Sequence, residues 1–195
     1  MPVKIKKIKM GKKGKLKKAI NAKPKAFKAV IDGERISSNT KEAFDLYSKS
    51  RFGEPGEGKI HYSLVEAAYL LERNRIVLFE GRKKMAFQNL LGHARKTESN
   101  FWTRYRVFSD MRSRGYIVKT ALKFGADFRV YERGVKPGED HAKWVLFPVY
   151  ETNTLTWHEF AAKNRVAHST RKNLLIGIVD DEGDVTYYTV SWIKP

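Results

Sequence analysis

The sequence predicts a mixed α/β fold with a small N-terminal domain and a C-terminal domain built on a central sheet. Apolar residues recur at helical spacing in some segments and form short β-type runs in others, and the two kinds alternate along the chain. Capping signals and glycine turns separate these segments. A hydrophobic fraction of 42% and an aromatic fraction of 12% are typical of a folded globular protein.

Turn and capping signals define the elements of the first half. Asp32-Gly33 interrupts an alternating run, which predicts a tight hairpin, and Thr40 offers a helix N-cap. Ser63 and Glu66 form a capping box at the start of another helix. In order, we predict a hairpin over 27–36, a helix from Thr40 to about Lys49, a loop over 53–58, a helix over 64–72, a strand over 75–80 and a helix near 85–96.

The second half begins with an aromatic amphipathic helix that ends at Gly115. In order, we predict a helix over 101–114, strands over 116–123, 127–132 and 144–149, a helix over 157–168, and strands over 174–180 and 185–193. A cap-like stretch at 97–100 predicts the domain boundary. The chain then divides into a basic extension (1–25), an N-terminal mixed α/β domain (26–98) and a C-terminal domain (99–195).

The net charge of +18 points to a polyanionic partner. Twelve of the 39 basic residues are lysines within residues 1–30, which contain no acid, so the rest of the chain carries 27 basic and 21 acidic groups. Two-thirds of the excess charge therefore lies in the N-terminal tail. The tail fits a nucleic-acid arm and a solvated extension equally well, because a lysine run cannot select RNA over DNA or anionic lipid.

The sequence also excludes several classes of protein. It contains no cysteine, which excludes disulfides, thiol catalysis and thiolate metal sites. No apolar run reaches the roughly 18 residues that are needed to cross a bilayer. The lysine-rich N-terminus lacks the apolar core of a secretory signal. We therefore expect a cytoplasmic protein.

Three residues of the second half form a set that can cleave RNA without a metal. Tyr131 ends a predicted strand, His141 follows a Gly/Pro-rich turn, and Lys172 opens an apolar strand. Cleavage beside a 2′-hydroxyl needs a base, an acid for the leaving 5′-oxygen and a cation for the charged phosphorane. Taken singly, each residue favours a structural role: a packed tyrosine, a solvated histidine, and a lysine that keeps a strand edge soluble.

Four blocks of the chain resemble the archaeal tRNA-splicing endonuclease family. The block HYSLVEAAYLLE (61–72) is similar to its N-terminal domain, and three blocks are similar to its catalytic domain: KTALKFGADFRVYERGVKPGEDH (119–141), WHEFAAKNRVAHSTRK (157–172) and IVDDEGDVTYYTVSW (178–192). The resemblance covers roughly residues 26–195. It implies a C-terminal catalytic nuclease domain that excises introns from precursor tRNA at bulge-helix-bulge motifs, without a metal or other cofactor.

The resemblance also implies a role for each candidate residue. Tyr131 becomes the general base toward the 2′-hydroxyl, His141 the general acid toward the 5′-oxygen, and Lys172 the cation that stabilises the phosphorane. The implied products are a 2′,3′-cyclic phosphate and a 5′-hydroxyl. Arg165 matches an arginine that stacks on a flipped bulge base, and Trp192 is similar to a partner that completes the sandwich. The alternative for Trp192 is a strand residue packed in the core.

An acidic turn near the C-terminus bears on assembly. It contains four carboxyl groups: Asp180, Asp181, Glu182 and Asp184. Such a turn is ordinarily a solvated hairpin, but in the family that the chain resembles the corresponding loop docks into a basic cleft of another subunit. The resemblance therefore implies a homotetramer arranged as a dimer of dimers. A catalytic subunit that needs a different structural partner would have much the same sequence features.

Two other functions remain open. The fold expected for the second half is similar to that of restriction-type endonucleases, which hold Mg²⁺ with paired carboxylates and a lysine. A loose version of that set is present: Asp127, Glu139, Asp140 and Lys143. Sensitivity to a chelator separates this alternative from metal-free cleavage. The chain could also be a non-catalytic RNA-binding protein whose basic tail supplies the affinity.

Overall fold

Helices and strands alternate along the chain and build two mixed layers, one from each half. The computed structural model describes residues 25–122, 125–138 and 140–191. Those residues contain five helices and eleven strands, which form a six-stranded and a five-stranded sheet. The predicted mixed α/β fold is confirmed. Among the described residues, no helix is both long enough and apolar enough to span a bilayer.

The first sheet is formed by residues 27–85, with its strands in the order β3-β4-β2-β1-β5-β6. The strands are β1 (Phe27–Asp32), β2 (Arg35–Ser38), β3 (Glu54–Gly56), β4 (Lys59–Tyr62), β5 (Ile76–Glu80) and β6 (Lys83–Met85). The helices are α1 (Lys41–Ser50), α2 (Leu64–Glu72) and α3 (Phe87–Thr97). Strands β1 and β5 run parallel, and the other pairs are antiparallel. A parallel pair needs a long crossover connection, and here it includes α1 and α2.

Local signals place most of these elements correctly. The hairpin around Asp32-Gly33 is confirmed, and Gly33 has the positive φ that its turn requires. The loop predicted over 53–58 is wrong, because its residues form β3 and the turn into β4. The predicted helix near 85–96 begins two residues later, since residues 83–85 form β6 opposite the end of β5.

The second sheet is formed by residues 117–190, with its strands in the order β11-β10-β9-β8-β7. The elements are α4 (Phe101–Ser113), β7 (Ile117–Thr120), β8 (Phe128–Tyr131), β9 (Trp144–Tyr150), α5 (Trp157–Ser169), β10 (Asn173–Val179) and β11 (Val185–Val190). Strands β9 and β10 run parallel across α5, and the other pairs are antiparallel. Each predicted strand and helix of this half is present, with strand ends that differ by one to three residues.

The two helices of this half contact opposite faces of its sheet. The register partners Phe128, Leu146 and Leu175 belong to the larger core, which α4 covers. Val145 immediately precedes Leu146 on β9 and belongs to a second core with Ala167 of α5. Because strand side chains alternate between faces, the register fixes which residues of β8, β9 and β10 lie on the α5 side.

A buried ionic network joins the two halves. The Lys119 ammonium of β7 donates to the carbonyl oxygens of Arg51 and Gly53 at 3.0 and 2.7 Å, and to the Glu66 carboxylate of α2 at 3.2 Å. Lys119 and Glu66 are only 4% and 5% exposed. A buried charge is tolerated when it is paired and hydrogen-bonded, so this network sets where the first half contacts the second.

Candidate active site

The strand register brings the ends of three strands to one edge of the second sheet. Val130 of β8 pairs with Trp144 of β9, and Trp144 pairs with Asn173 of β10. Tyr131 follows Val130 directly, Lys172 precedes Asn173 directly, and the loop that carries the predicted histidine leads into β9. Strands two places apart are separated by about 10 Å. The sheet order therefore explains why residues far apart in the sequence meet at this edge.

A cavity of about 580 Å³ opens at that edge. Its lining includes all three residues of the predicted catalytic set: Tyr131, His141 and Lys172. The remaining lining residues are Arg129, Gly138, Asp140, Ala142, Val145 and Thr170. The structure thus brings together the three side chains that sequence spacing alone left apart. A cavity with a phenol, an imidazole and cationic groups can accept a phosphodiester.

Tyr131 and Lys172 are held by the framework on either side of β9. Tyr131 is 5% exposed, so its ring forms part of the wall of the cavity. The Lys172 ammonium donates to the carbonyl oxygen of Thr170 at 2.8 Å, and the Lys172 backbone N–H donates to Ala167 at 2.9 Å. Both acceptors lie at the C-terminal end of α5. That end of the helix favours a cation, which keeps Lys172 at the mouth of the cavity.

His141 lies in the loop between β8 and β9 and is exposed. Its backbone N–H donates to the Asp140 carboxylate at 2.6 Å, which fixes the turn that leads into the histidine. Gly138, with a φ of +93°, provides a backbone conformation that other residues rarely adopt. An exposed imidazole can exchange protons with solvent.

Arg129 is a cavity residue that the sequence patterns did not single out. It lies two residues before Tyr131 on β8 and pairs with Val145, which also lines the cavity. Side chains two apart on a strand point to the same face. Applying this period of two to the strand that ends at Tyr131 would have identified the arginine.

Arg165 lines a neighbouring groove on α5 and not the catalytic cavity itself. The groove has a volume of about 700 Å³ and is formed by α5 and the end of β11. A smaller hollow overlaps it at Asn164 and His168 and reaches Lys172, which also lines the catalytic cavity. One continuous surface therefore links Arg165 to the catalytic edge. Trp192 lies outside the described residues.

The acidic turn projects between β10 and β11. Asp181, Glu182 and Asp184 are exposed, and within the described chain no salt bridge involves any carboxylate of the turn. The turn is nevertheless fixed, because the Asp184 N–H donates to the Asp180 carboxylate at 2.7 Å. Arg106 of α4 also donates to the carbonyl oxygen of Gly183 at 2.6 Å. The structure thus presents three exposed acids on a rigid turn.

A basic cleft of about 310 Å³ lies between the two halves. Its charged lining residues are Lys49, Arg112 and Lys136, with no acid among them. Arg112 donates to the carbonyl oxygen of Ser50 at 2.8 Å and lies 3.6 Å from the centre of the Phe52 ring. Burial lowers the pKa of Arg112 to about 10, so the guanidinium is still charged at neutral pH. The cleft can therefore accept an anionic group.

Two of the four residues considered as a metal-binding set form ion pairs with other side chains. The Asp127 carboxylate forms a salt bridge with Arg104 Nε at 2.8 Å, and Lys143 forms an ion pair with Glu132. Burial raises the pKa of Asp127, and the adjacent Arg104 offsets part of that shift. Glu139 lies outside the described residues. Within the described ranges, no group of three or more His, Asp or Glu side chains is arranged to hold a metal ion.

Comparisons with known proteins give matches over both halves. The family model described as tRNA intron endonuclease, N-terminal domain, matches residues 27–91. The model described as tRNA intron endonuclease, catalytic C-terminal domain, matches residues 101–187. Together these two models match well over half of the chain.

Curated relatives give a consistent result. A tRNA-splicing endonuclease of Thermococcus kodakarensis is 42% identical over 165 residues, which cover 84% of this chain and 96% of the relative. A protein of the same name from Methanothermobacter thermautotrophicus is 42% identical over 153 residues, or 77% of this chain and 87% of the relative. One from Nanoarchaeum equitans is 46% identical over 138 residues, or 68% of this chain and 88% of the relative.

Proposed function

The chain belongs to the tRNA intron endonuclease family, and from this membership we propose how and where it cleaves RNA. It is an RNA endonuclease that acts in tRNA splicing. The finer proposal is that it cuts precursor tRNA at bulge-helix-bulge motifs without a metal ion. The products are a 2′,3′-cyclic phosphate and a 5′-hydroxyl.

The observation that carries the proposal is the shared cavity of Tyr131, His141 and Lys172. The three side chains come from the end of β8, the loop before β9 and the start of β10. They supply a base, an acid and a cation within one hollow, which is the set that metal-free transesterification needs. The exposed His141 can take up a proton from solvent, whereas the buried Tyr131 ring holds its hydroxyl in a fixed direction.

The chemical step is an in-line displacement at phosphorus. The Tyr131 phenolate takes the proton of the 2′-hydroxyl, and the 2′-oxygen forms a bond to phosphorus. The bond between phosphorus and the 5′-oxygen then breaks, and the His141 imidazolium gives its proton to that oxygen. Lys172 stabilises the phosphorane, whose charge exceeds that of the starting diester by one. Afterwards the phenol loses a proton to solvent and the imidazole gains one, which restores both residues.

The groove on α5 supports a site for an unpaired base. Arg165 is exposed there, and the continuous surface through Asn164 and His168 leads from it to Lys172. A guanidinium plane can stack on an unstacked base, as is usual when proteins bind single-stranded or bulged RNA. We assign Trp192 to the same base by resemblance, since the neighbouring Ser191 lines the groove.

The acidic turn and the basic cleft support assembly of several copies. Asp181, Glu182 and Asp184 are exposed on the turn, whereas the cleft is lined by Lys49 and Arg112. The two surfaces have opposite charge. Docking the turn of one copy into the cleft of another is a heterologous contact, and a closed tetramer of paired dimers satisfies it. Light scattering of the purified protein measures the assembly directly.

The experiment that tests the proposal is cleavage of a bulge-helix-bulge RNA in excess EDTA, followed by chemical identification of the ends. We expect cyclic-phosphate and 5′-hydroxyl ends from the wild-type protein. The His141→Ala variant should cleave about 10²–10⁴-fold more slowly, since it lacks one proton-transfer group. His158→Ala is the matched control, because His158 is exposed at the start of α5 and lines none of the three surfaces near the cavity.

Two outcomes would overturn parts of the proposal. Cleavage that disappears with EDTA and returns with Mg²⁺ would show metal-dependent chemistry. Tight binding without cleavage under either condition would indicate a binding protein or a missing partner subunit. A truncation that lacks residues 1–25 separates these cases further, because loss of the tail should weaken binding in a salt-dependent way while the cleavage site is retained.

A further inference from the structure

Arg129 is a half-buried basic residue of the catalytic cavity, and the proposed reaction gives it no role. It lines the same hollow as Tyr131, His141 and Lys172. It lies on β8 two residues before Tyr131, about 7 Å further from the sheet edge at the usual rise of a strand. The hollow therefore has an arginine in its interior and a lysine at its mouth.

One nitrogen of the Arg129 guanidinium lacks the partner that a buried donor normally has. Its Nε atom is buried and has no hydrogen-bond partner among the described residues. No salt bridge within the described chain involves Arg129 either. Leaving a buried donor unsatisfied is unfavourable, and more so when the group is charged. Such a group in a native fold needs a reason, and a ligand that arrives later is one.

The chemistry of the surrounding groups selects the kind of ligand. Asp140 is the acid of the lining, and its carboxylate accepts the backbone N–H of His141. Lys172 and Arg129 are basic residues of the lining, and Lys172 already donates one N–H to the carbonyl oxygen of Thr170. A guanidinium is planar and presents paired N–H groups that match the oxygens of a phosphate. The Arg129 guanidinium, with its unpaired Nε, therefore fits the phosphate of an RNA backbone.

We propose that Arg129 binds the non-bridging oxygens of the scissile phosphate. The inference rests on the proposed function, because it takes the cavity to be the cleavage site. Arg129 and Lys172 then contact the phosphorus centre from β8 and β10, on either side of β9. The phosphorane carries one more negative charge than the diester, so the contact strengthens as the reaction proceeds.

The test is single-turnover cleavage with the full chain and a bulge-helix-bulge RNA. We expect Arg129→Ala to lower the rate by about 10²–10³, the usual cost of losing one preorganised donor. The Kd for the RNA should change by less than about threefold, because the charge difference develops after binding. Arg129→Lys should recover part of the rate, since it restores the charge without the fork.

A substrate with sulfur in place of one non-bridging oxygen at the cleavage site makes the test specific. The wild-type protein should cleave one diastereomer more slowly than the oxygen substrate, and Arg129→Ala should lose that difference. A merely structural role of Arg129 would leave the sulfur effect unchanged. Arg133→Ala is the matched control, because Arg133 lies two residues after Tyr131, is exposed and stacks on Tyr116 outside the cavity.

The outcomes separate the inference from the function on which it rests. If Tyr131→Phe, His141→Ala and Lys172→Ala all cleave like the wild type, the proposed site is wrong whatever Arg129 does. If those variants fail and Arg129→Ala cleaves normally, or keeps the full sulfur effect, only the inference is wrong. Unfolding temperatures identify a variant that fails to fold, and Arg129→Gln then serves as the uncharged variant.

Discussion

Helices α2 and α5 begin with the same capping motif, but α2 is largely buried and α5 is largely exposed. Ser63 and Glu66 start α2 with a complete capping box, and Thr156 and Glu159 do the same for α5. However, α2 buries six of its nine residues, whereas α5 buries only Ala167 among thirteen. The local sequence thus explains why both segments are helical. It does not explain what either helix does, which depends on what packs against it.

The burial of α2 makes it a structural element. The Glu66 carboxylate closes the capping box and also accepts from the Gly53 backbone at 2.9 Å and from Lys119 at 3.2 Å. One side chain therefore caps a helix, fixes a loop and joins the two halves. By contrast, the Glu159 carboxylate accepts hydrogen bonds from the Thr156 backbone and hydroxyl within its own cap. The exposed face of α5 is left available for the groove that contains Arg165.

The largest difference between the two helices should appear when the equivalent acid of each box is removed. We expect Glu66→Ala to lower the free energy of unfolding by about 3 kcal/mol, because it removes the buried partner of Lys119 and leaves only the exposed Glu54 carboxylate, at 3.0 Å, to pair with that ammonium. Glu159→Ala, the matched control on α5, should cost much less, since Glu159 lies on the surface. Urea titration of both variants measures the difference.

A double variant sharpens this prediction. Glu66→Ala combined with Lys119→Met should be more stable than Glu66→Ala alone, because the second change removes the ammonium that has lost its buried partner. Glu66→Gln serves if the alanine variant does not fold. Equal losses from Glu66→Ala and Glu159→Ala would show that burial does not distinguish the two boxes.

The elements with strong local signals could be predicted from the sequence, and the pairings between distant strands could not. The capping box at Ser63 and the turn at Gly33 act within a few residues, so the sequence pattern determines them. The short strand β3 was mistaken for a loop, because its glycine and proline content favours loops. Tertiary pairing with β4 overrides that preference.

The candidate site, too, could be predicted from the sequence only in part. Tyr131, His141 and Lys172 were identified by chemistry and by resemblance, but their meeting in one cavity depends on the order β8-β9-β10. No spacing along the chain encodes that order. Arg129 was overlooked because a charged residue inside a strand carries no signal by itself. Its unpaired Nε can be recognised only from the three-dimensional structure.

The second largest expected effect is on RNA binding by the exposed helix α5. We expect Arg165→Ala to weaken binding of a bulge-helix-bulge RNA by about 1–2 kcal/mol, or roughly five- to thirtyfold in Kd, through loss of one stacking cation. Stability should not change, since Arg165 is exposed and packs against no core. Fluorescence titration at constant salt measures Kd, and Arg133→Ala controls for the loss of one positive charge.

An RNA with an abasic site in the bulge identifies the contact. The wild-type protein should lose affinity for this substrate, whereas Arg165→Ala should bind both substrates alike. If the variant still discriminates between them, another residue stacks on the base and the role of Arg165 is wrong.

The smallest effect is the contribution of the α5 capping box and its dependence on pH. Hydrogen bonds from the Thr156 backbone and hydroxyl lower the pKa of Glu159 in the folded protein. A carboxyl whose folded pKa is depressed contributes stability above its unfolded pKa of about 4.3 and loses it as the pH falls through the folded value.

Glu159→Gln should therefore unfold at a slightly lower temperature than the wild type at pH 7. The difference should shrink as the pH falls from about 4.3 through the lowered folded pKa, below which both side chains are uncharged. A difference that stayed constant from pH 7 to pH 3 would mean that the carboxylate charge does not stabilise α5. In that case the box would act through its neutral hydrogen bonds alone, and its contrast with the charged network of α2 would rest entirely on Glu66 and Lys119.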